Sequence, residues 1–132
     1  MRVRARRATV MTVTPSIEQA LATDRVIDIT TTGRKSSEAR RIEIWFHRID
    51  GRFYMTGTPG ARSWYANLVA HPEFTFHLKE SAQADLPAVA VPIEGPEKER
   101  VLQAIEASIP GTRLTLDPET SPLVEVTWAD AA

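Results

Sequence analysis

The sequence contains no cysteine, which excludes disulfide bonds, thiolate metal sites and a cysteine nucleophile together. It also has no apolar run close to the roughly 18 residues of a membrane helix, so no transmembrane segment is expected. An excess of one charge sign is missing too. The formal net charge is −1, and a whole-molecule attraction to nucleic acid is not expected. Together these absences favour a cytoplasmic protein.

Motifs that mark common catalytic centres are also missing. There is neither a GxGxxG fingerprint nor a Walker loop. His47, His71 and His77 have no spacing typical of metal ligands, so no metal site is expected. The serines lack a nucleophile-elbow motif. The sequence therefore assigns no catalytic residue and no metal ligand.

What the chain does contain is typical of a globular domain. Its 132 residues are 42% hydrophobic and 25% charged. We expect residues 14–132 to form a single domain and the basic residues 1–13 to form a disordered arm. The sequence leaves open a translation start at Met11 and a role for the arm at an anionic surface.

Hydrophobic periodicity and turn signals predict an order of helix, three strands, helix, two strands, helix and strand. No helical crossover joins the first three strands, which argues against a parallel sheet and favours a small antiparallel barrel. In the third strand, Phe53 and Met55 are predicted to face the core. The predicted helices span residues 14–23, 61–70 and 95–109, and the predicted strands span residues 26–32, 41–49, 52–57, 73–79, 83–93 and 123–128.

The beginning of the first helix and the prolines of the fifth strand allow more specific predictions. The first helix begins either with Thr14 as the cap and Pro15 at the first position, or with Ser16 as the cap. In the fifth strand, Pro87 and Pro92 favour an edge or a bent position, because proline cannot donate to a ladder.

A basic stretch separates the first two predicted strands. If those strands pair, the connection holds fixed cationic groups close together, and guanidinium groups suit phosphate or carboxylate. Thr30, Thr31 and Thr32 add hydroxyl groups, and Gly33 permits a turn that brings backbone amides near a ligand. The alternative is a solvated loop. The four basic residues are Arg34, Lys35, Arg40 and Arg41.

A second stretch, GTPGARSWYANLVAHP at residues 57–72, runs from a flexible loop into a short helix. Helix N-termini attract anions. Trp64 and Tyr65 offer flat faces on which an aromatic ring could stack. The alternative is that both rings belong to the core.

Three segments, TTTGRKSSEARRIEIWF, DGRFYMTG and WYANLVAHP, resemble the deazaflavin-dependent nitroreductase family in order and approximate spacing. The resemblance covers about residues 26–79. That family has a split β-barrel related to the flavin-binding pyridoxamine-phosphate-oxidase group. The resemblance therefore implies a mainly β fold with α, a six-stranded antiparallel split β-barrel with flanking short helices.

The resemblance also implies a cofactor, the deazaflavin coenzyme F420, and residues that hold it. Lys35 and Arg40 would contact its phosphate and acidic tail, with Arg34 and Arg41 as further candidates. Asn67 would have a structural or cap-like role. The loop after the third strand and the start of the second helix would lie at the phosphate and the ring, through Thr56, Gly57, Thr58, Gly60, Ser63, Trp64 and Tyr65.

The implied activity is that of an oxidoreductase. Reduced F420 would deliver a hydride to a small electron-poor acceptor, such as a quinone, a nitro compound or an activated enone. The family often places tyrosines over the substrate pocket near its C-terminus, and this chain has none after Tyr65. The substrate side is therefore expected to be lined differently. The proton donor is left open between a tyrosine, water and His47, the last of which is otherwise an outward-facing strand residue.

Two other functions stay open beside this one. The barrel could use FMN as a flavin oxidoreductase, or it could be a non-catalytic module that binds an anionic ligand. Both a homodimer and a monomer fit the resemblance.

Overall fold

The computed structural model describes residues 14–57, 60, 62–109 and 116–129. The predicted arm at residues 1–13 lies outside them. The element order of the prediction is confirmed, with boundaries that differ by up to two residues. The helices are α1 Pro15–Thr23, α2 Ser63–Ala70 and α3 Gly95–Ser108, and the strands are β1 Val26–Thr32, β2 Ala39–Ile49, β3 Arg52–Thr56, β4 Glu73–Leu78, β5 Ala84–Pro92 and β6 Leu123–Trp128.

Local chemistry explains the beginning of α1 and the turn between β2 and β3. The Thr14 hydroxyl accepts a hydrogen bond of 3.2 Å from the Ile17 amide, and Pro15 opens the helix, so the first capping alternative is confirmed. Asp50 and Gly51 both have positive φ, at 53° and 79°. That conformation suits the tight turn of a β-hairpin, which an Asp-Gly pair favours.

The six strands form a closed antiparallel barrel in the order β1-β2-β3-β6-β5-β4, which confirms the predicted fold class. Strand β5 pairs with β4 on one side and β6 on the other, so of the two predicted positions, an edge or a bend, the edge is wrong. Pro92 ends the strand, where a lost donor matters little. Pro87 contributes its carbonyl, which accepts a 3.1 Å hydrogen bond from the Ala129 amide.

Two hydrophobic cores lie on the two faces of the barrel wall. The interior is filled by aliphatic and aromatic side chains, with Phe76 packed edge-on against Phe46 and against Trp128 at 5.2 Å between ring centroids in each pair. The second core lies outside, between the wall and α3. Its buried members are Tyr54, Val101, Leu102, Ile105, Leu116 and Leu123.

Within the described residues, none of the helices is both long enough and apolar enough to cross a membrane.

Candidate functional site

The connection between β1 and β2 is a tight loop held by its own backbone. The Gly33 amide donates to the Glu38 carbonyl at 2.8 Å, and the Ser37 amide donates to the Gly33 carbonyl at 2.9 Å. A Cβ atom on Gly33 would lie 2.5 Å from the Ser36 hydroxyl oxygen. A side chain at this position would therefore displace the Ser36 hydroxyl, which accepts a hydrogen bond of 3.2 Å from the Glu38 amide.

Asn67 on α2 fixes this loop to the barrel. Its side-chain carbonyl accepts hydrogen bonds from the Arg34 amide at 3.1 Å and from the Arg34 guanidinium at 3.3 Å. Its amide group donates to the Thr31 hydroxyl at 3.3 Å. Asn67 is 5% exposed, so these bonds are shielded from water. The structural role predicted for Asn67 thus has a definite geometry, a bridge between β1, the loop and α2.

A cavity of about 450 Å³ lies between this loop, β2 and the beginning of α2. We call it the basic cavity. Its charged lining residues are all cationic, and no carboxylate is among the described residues that line it. Ile42 and Trp64 supply apolar surface. The full lining is Thr31, Gly33, Arg34, Lys35, Ser36, Arg40, Ile42, Ser63, Trp64 and Asn67.

The contacts of the basic cavity's side chains leave its charge available to a ligand. Arg40 pairs with Glu38 at 3.0 Å, but both side chains are more than half exposed. Such surface pairs contribute little free energy, so an anion can displace Glu38. The sequence predicts that backbone amides of this loop could bind a ligand. In the structure, the amides of Gly33, Arg34 and Ser37 already donate hydrogen bonds within the protein. Contacts to an anion therefore fall mainly to side chains.

Arg41 does not line the basic cavity. Successive side chains of a strand point to opposite faces, so Arg40 and Arg41 diverge. Arg41 bonds Asp28 at 3.0 Å on the outer face of the barrel. Asp28 also pairs with Lys79 at 2.7 Å. The hydrogen bond from Lys79, aided by the one from Arg41, holds the pKa of the Asp28 carboxyl below its usual value.

The loop after β3 lies beside Trp64. Thr56 is buried, and its hydroxyl donates to the Pro122 carbonyl at 2.6 Å. A Cβ atom on Gly57 would lie 3.9 Å from the Trp64 ring and 3.9 Å from the Pro122 side chain. Thr58 lies outside the described residues. Thr56 therefore has a structural bond, while Gly57 borders the indole of Trp64.

The two aromatic rings at the beginning of α2 face different cavities. Their planes are at 86° with centroids 6.0 Å apart. Trp64 lines the basic cavity, whereas the Tyr65 hydroxyl donates to Glu94 at 3.2 Å. Burial, reinforced by the negative charge of Glu94, raises the pKa of Tyr65 above its usual value. Tyr65 is accordingly a weaker acid than a free tyrosine.

Tyr65 lines a second cavity of about 360 Å³, which we call the mixed-charge cavity. Gly60 also lines it. Lys98, a residue that sequence reasoning missed, lies here with 5% of its surface exposed. It occupies the same helical stripe as Val101, Leu102 and Ile105, so the i, i+3, i+4 spacing could have indicated its burial. The remaining lining residues are Arg62, Glu94, Glu119, Thr120, Ser121 and Pro122.

His47 lines neither of these cavities. It is 5% exposed and borders a cavity of about 110 Å³ together with the end of α1 and Ser108 of α3. Burial, with a smaller contribution from Arg25, lowers the pKa of His47 to about 4. The structure therefore gives no support to His47 as the proton donor.

Several solved structures are similar to this fold. A structure described as a domain-swapped dimer is 25% identical with a TM-score of 0.58, over 79% of this chain and 81% of the other. An F420-H2 dependent reductase is 22% identical with a TM-score of 0.57, over 79% and 95%. A FAD-binding protein from Mesorhizobium loti is 11% identical with a TM-score of 0.63, over 91% and 93%.

No protein with curated annotation matches the chain. A family model, that of the F420H(2)-dependent quinone reductases, matches residues 2–123. The match spans most of the chain and agrees with the predicted coenzyme. The protein therefore belongs to the F420H(2)-dependent quinone reductase family, a family of oxidoreductases that use F420.

Proposed function

We propose that the basic cavity binds the phosphate and acidic tail of F420 and that the protein passes the coenzyme's hydride to a small quinone. The observation that carries this proposal is the charge of the cavity. Arg34, Lys35 and Arg40 line it, and no described lining residue is acidic. Converging cations suit a ligand with several anionic groups.

The donor set fits the coenzyme in two respects. Guanidinium groups bind phosphate and carboxylate through paired hydrogen bonds, and Lys35 adds a point charge at the same loop. Trp64 offers an indole face at one wall, and Gly57 beside it has no side chain to occupy the space. An anionic tail and a flat ring can therefore be held by neighbouring residues.

Within this scheme, the chain's residues bind and orient. When bound, the reduced coenzyme supplies the hydride. Asn67 holds the loop through Arg34 and Thr31, which keeps the cationic side chains in one arrangement. Ile42 and Trp64 supply apolar surface at one side of the cavity. No acid or base of the protein is required for the transfer.

The acceptor we propose is a quinone, on the description of the family. Nitro compounds and activated enones are electron-poor in the same way and are the next acceptors to examine. A homodimer is also part of the proposal, because a similar structure is a domain-swapped dimer and Trp45 is 48% exposed on β2. Light scattering tests it, since a monomer mass would refute the dimer.

A binding titration tests the coenzyme site. We expect the wild type to bind oxidised F420 at micromolar concentration and more tightly than FMN. Lys35→Met and Arg40→Met should each weaken F420 binding about tenfold or more, the effect of losing a hydrogen bond to a charged group. Lys79→Met is the matched control, because Lys79 bonds Asp28 on the outer face. Absence of F420 binding by the wild type would refute the proposal.

A further inference from the structure

The mixed-charge cavity contains a buried lysine that the coenzyme site does not use. We propose that this cavity binds the electron acceptor, and that the Lys98 ammonium group donates a hydrogen bond to the acceptor oxygen that becomes negative. This inference rests on the proposed function, since the hydride comes from coenzyme bound in the neighbouring basic cavity.

The Lys98 side chain is mostly buried and lines the mixed-charge cavity. Its side chain is 7% exposed, and its Nζ atom lies 3.9 Å from the Glu94 carboxylate, beyond hydrogen-bond range. Among the described residues this is the one ionic contact of Lys98. The Glu94 side chain is 69% exposed and accepts a hydrogen bond from the Tyr65 hydroxyl. An ammonium group has three donors, and the donors of Lys98 face a cavity that water or a ligand can enter. An oxygen atom of a ligand in this cavity would satisfy them.

The balance of charge favours a neutral ligand with an electron-rich oxygen. Two cationic residues, Arg62 and Lys98, line the mixed-charge cavity together with two acidic residues, Glu94 and Glu119. The basic cavity has cations alone among its described charged lining residues. A phosphate or polycarboxylate would therefore prefer the basic cavity. A quinone, which is uncharged but polar at its carbonyls, suits the mixed-charge cavity.

Gly57 lies between lining residues of the two cavities. A Cβ atom there would lie 3.9 Å from Trp64, which lines the basic cavity. It would also lie 3.8 Å from the Arg62 Nε atom and 3.9 Å from Pro122, which line the mixed-charge cavity. Gly57 thus has Trp64 on the side of the basic cavity and Arg62 and Pro122 on the side of the mixed-charge cavity. The proposal therefore places the acceptor beside Lys98, across Gly57 from a ring held against Trp64.

Reduction of a quinone would be helped by the Lys98 ammonium group beside the acceptor oxygen. A quinone becomes a hydroquinone by gaining one hydride, which carries two electrons, and one proton. The hydride comes from the reduced coenzyme, the electron pair moves to a carbonyl oxygen, and water supplies the proton. The oxygen is most negative before it is protonated. A fixed ammonium group at that oxygen stabilises the transition state more than the neutral quinone.

Two ligands and one substitution test this role. The protein saturated with oxidised F420 is titrated by calorimetry with menadione, which is neutral, and with 2-hydroxy-1,4-naphthoquinone, whose oxygen is anionic at neutral pH. In Lys98→Met, we expect the anion to bind about tenfold more weakly or worse, as for a lost charged hydrogen bond. Menadione affinity should change about twofold, while kcat/KM for menadione falls about tenfold. Lys98→Arg should restore most of both losses.

The other two lysines of the chain are the controls. Lys35→Met should weaken F420 binding and leave the discrimination between the two naphthoquinones unchanged. Lys79→Met should change neither. If Lys98→Met does not fold, as judged by its melting curve, Lys98→Gln replaces it.

The outcomes separate this inference from the proposed function. If the wild type binds no F420, both are refuted. If the wild type binds F420 and the Lys98 variants bind the naphthoquinone anion as tightly as the wild type, the acceptor role of Lys98 alone is refuted. If Lys98→Met weakens F420 binding instead, Lys98 belongs to the coenzyme site and the inference is wrong.

Discussion

His47 is a buried histidine whose surroundings disfavour its charged form. Its Nδ1 atom has no hydrogen-bond partner among the described residues, and its ring is 5% exposed. Burial, and to a smaller extent Arg25, lowers the pKa of His47 from 6.5 to about 4. The ring is therefore neutral in the folded protein at neutral pH, whereas it titrates normally in the unfolded chain.

This shift predicts a loss of stability in mild acid. Between pH 6.5 and about 4, the unfolded chain binds a proton at His47 that the folded protein does not, so the unfolding free energy decreases as pH falls. The full effect is about 3 kcal/mol. His47→Leu should remove it, which urea titrations from pH 7 to pH 4.5 would measure. The exposed His71→Gln is the control, and equal pH slopes for His47→Leu and the wild type would contradict the prediction.

At this scale the sequence predicts residue chemistry better than residue placement. The basic stretch and the aromatic pair were identified from local composition. Whether Arg40 or Arg41 faces the cavity depends on the phase of β2, which composition does not set. The spacing of Lys98 from Val101, Leu102 and Ile105 could have indicated its burial, whereas its place at the mixed-charge cavity depends on where α3 packs, which is a long-range property.

Helix α2 is the element that organises the basic cavity. It is eight residues long, and isolated helices of that length are unstable in water. Its place is fixed by Leu68, which is buried in the barrel core, and by the bridge from Asn67 to Arg34 and Thr31. The same bridge positions the loop that bears the cationic side chains. Asn67 therefore supports both the stability of the fold and the proposed coenzyme site.

Asn67→Ala tests both roles. The change removes hydrogen bonds to two elements and leaves the buried Thr31 hydroxyl without this partner. We expect the unfolding free energy to fall by about 2 kcal/mol. F420 binding should weaken severalfold, because the loop must be ordered when the ligand binds. Urea unfolding and F420 titration measure the two effects, with the exposed Gln103→Ala on α3 as control. Unchanged F420 affinity would contradict the role of Asn67 at the proposed coenzyme site.

The elements themselves were largely predictable. Several predicted features depend only on residues close in sequence, and the structure retains them. These are the alternation in β2 and β4, the Asp50-Gly51 turn and the Thr14 cap. The error at β5 has a physical reason. Proline disfavours a central strand because it has no backbone N–H to donate. Here Pro92 lies at the end of the strand, and the Pro87 carbonyl accepts a hydrogen bond from Ala129.

At the scale of the whole molecule, the two cores share the same strands. In β3, Met55 faces the barrel interior and Tyr54 faces α3. In β6, Val124 and Leu123 divide in the same way. Alternation in a single strand does not reveal whether its outer face is covered, so Tyr54 was not predicted to be buried. Because each of these strands contributes to both cores, loss of one core exposes the other.

The shared strands predict that α3 and the barrel unfold together. Ile105→Ala removes a fully buried side chain from the outer core, and we expect it to cost about 2–5 kcal/mol. Trp128 reports on the barrel interior, where its ring packs against Phe76. With Trp45 and Trp64 replaced by Phe, Trp128 fluorescence and far-UV circular dichroism should show one transition, shifted equally by Ile105→Ala. The exposed Glu99→Ala on α3 should leave that transition in place.

If the fluorescence transition stayed at its wild-type position while the helical signal was lost earlier, the two cores would be independent. Lys98 would then lie on a helix that can detach from the barrel, and acceptor reduction would fail at lower denaturant concentration than coenzyme binding.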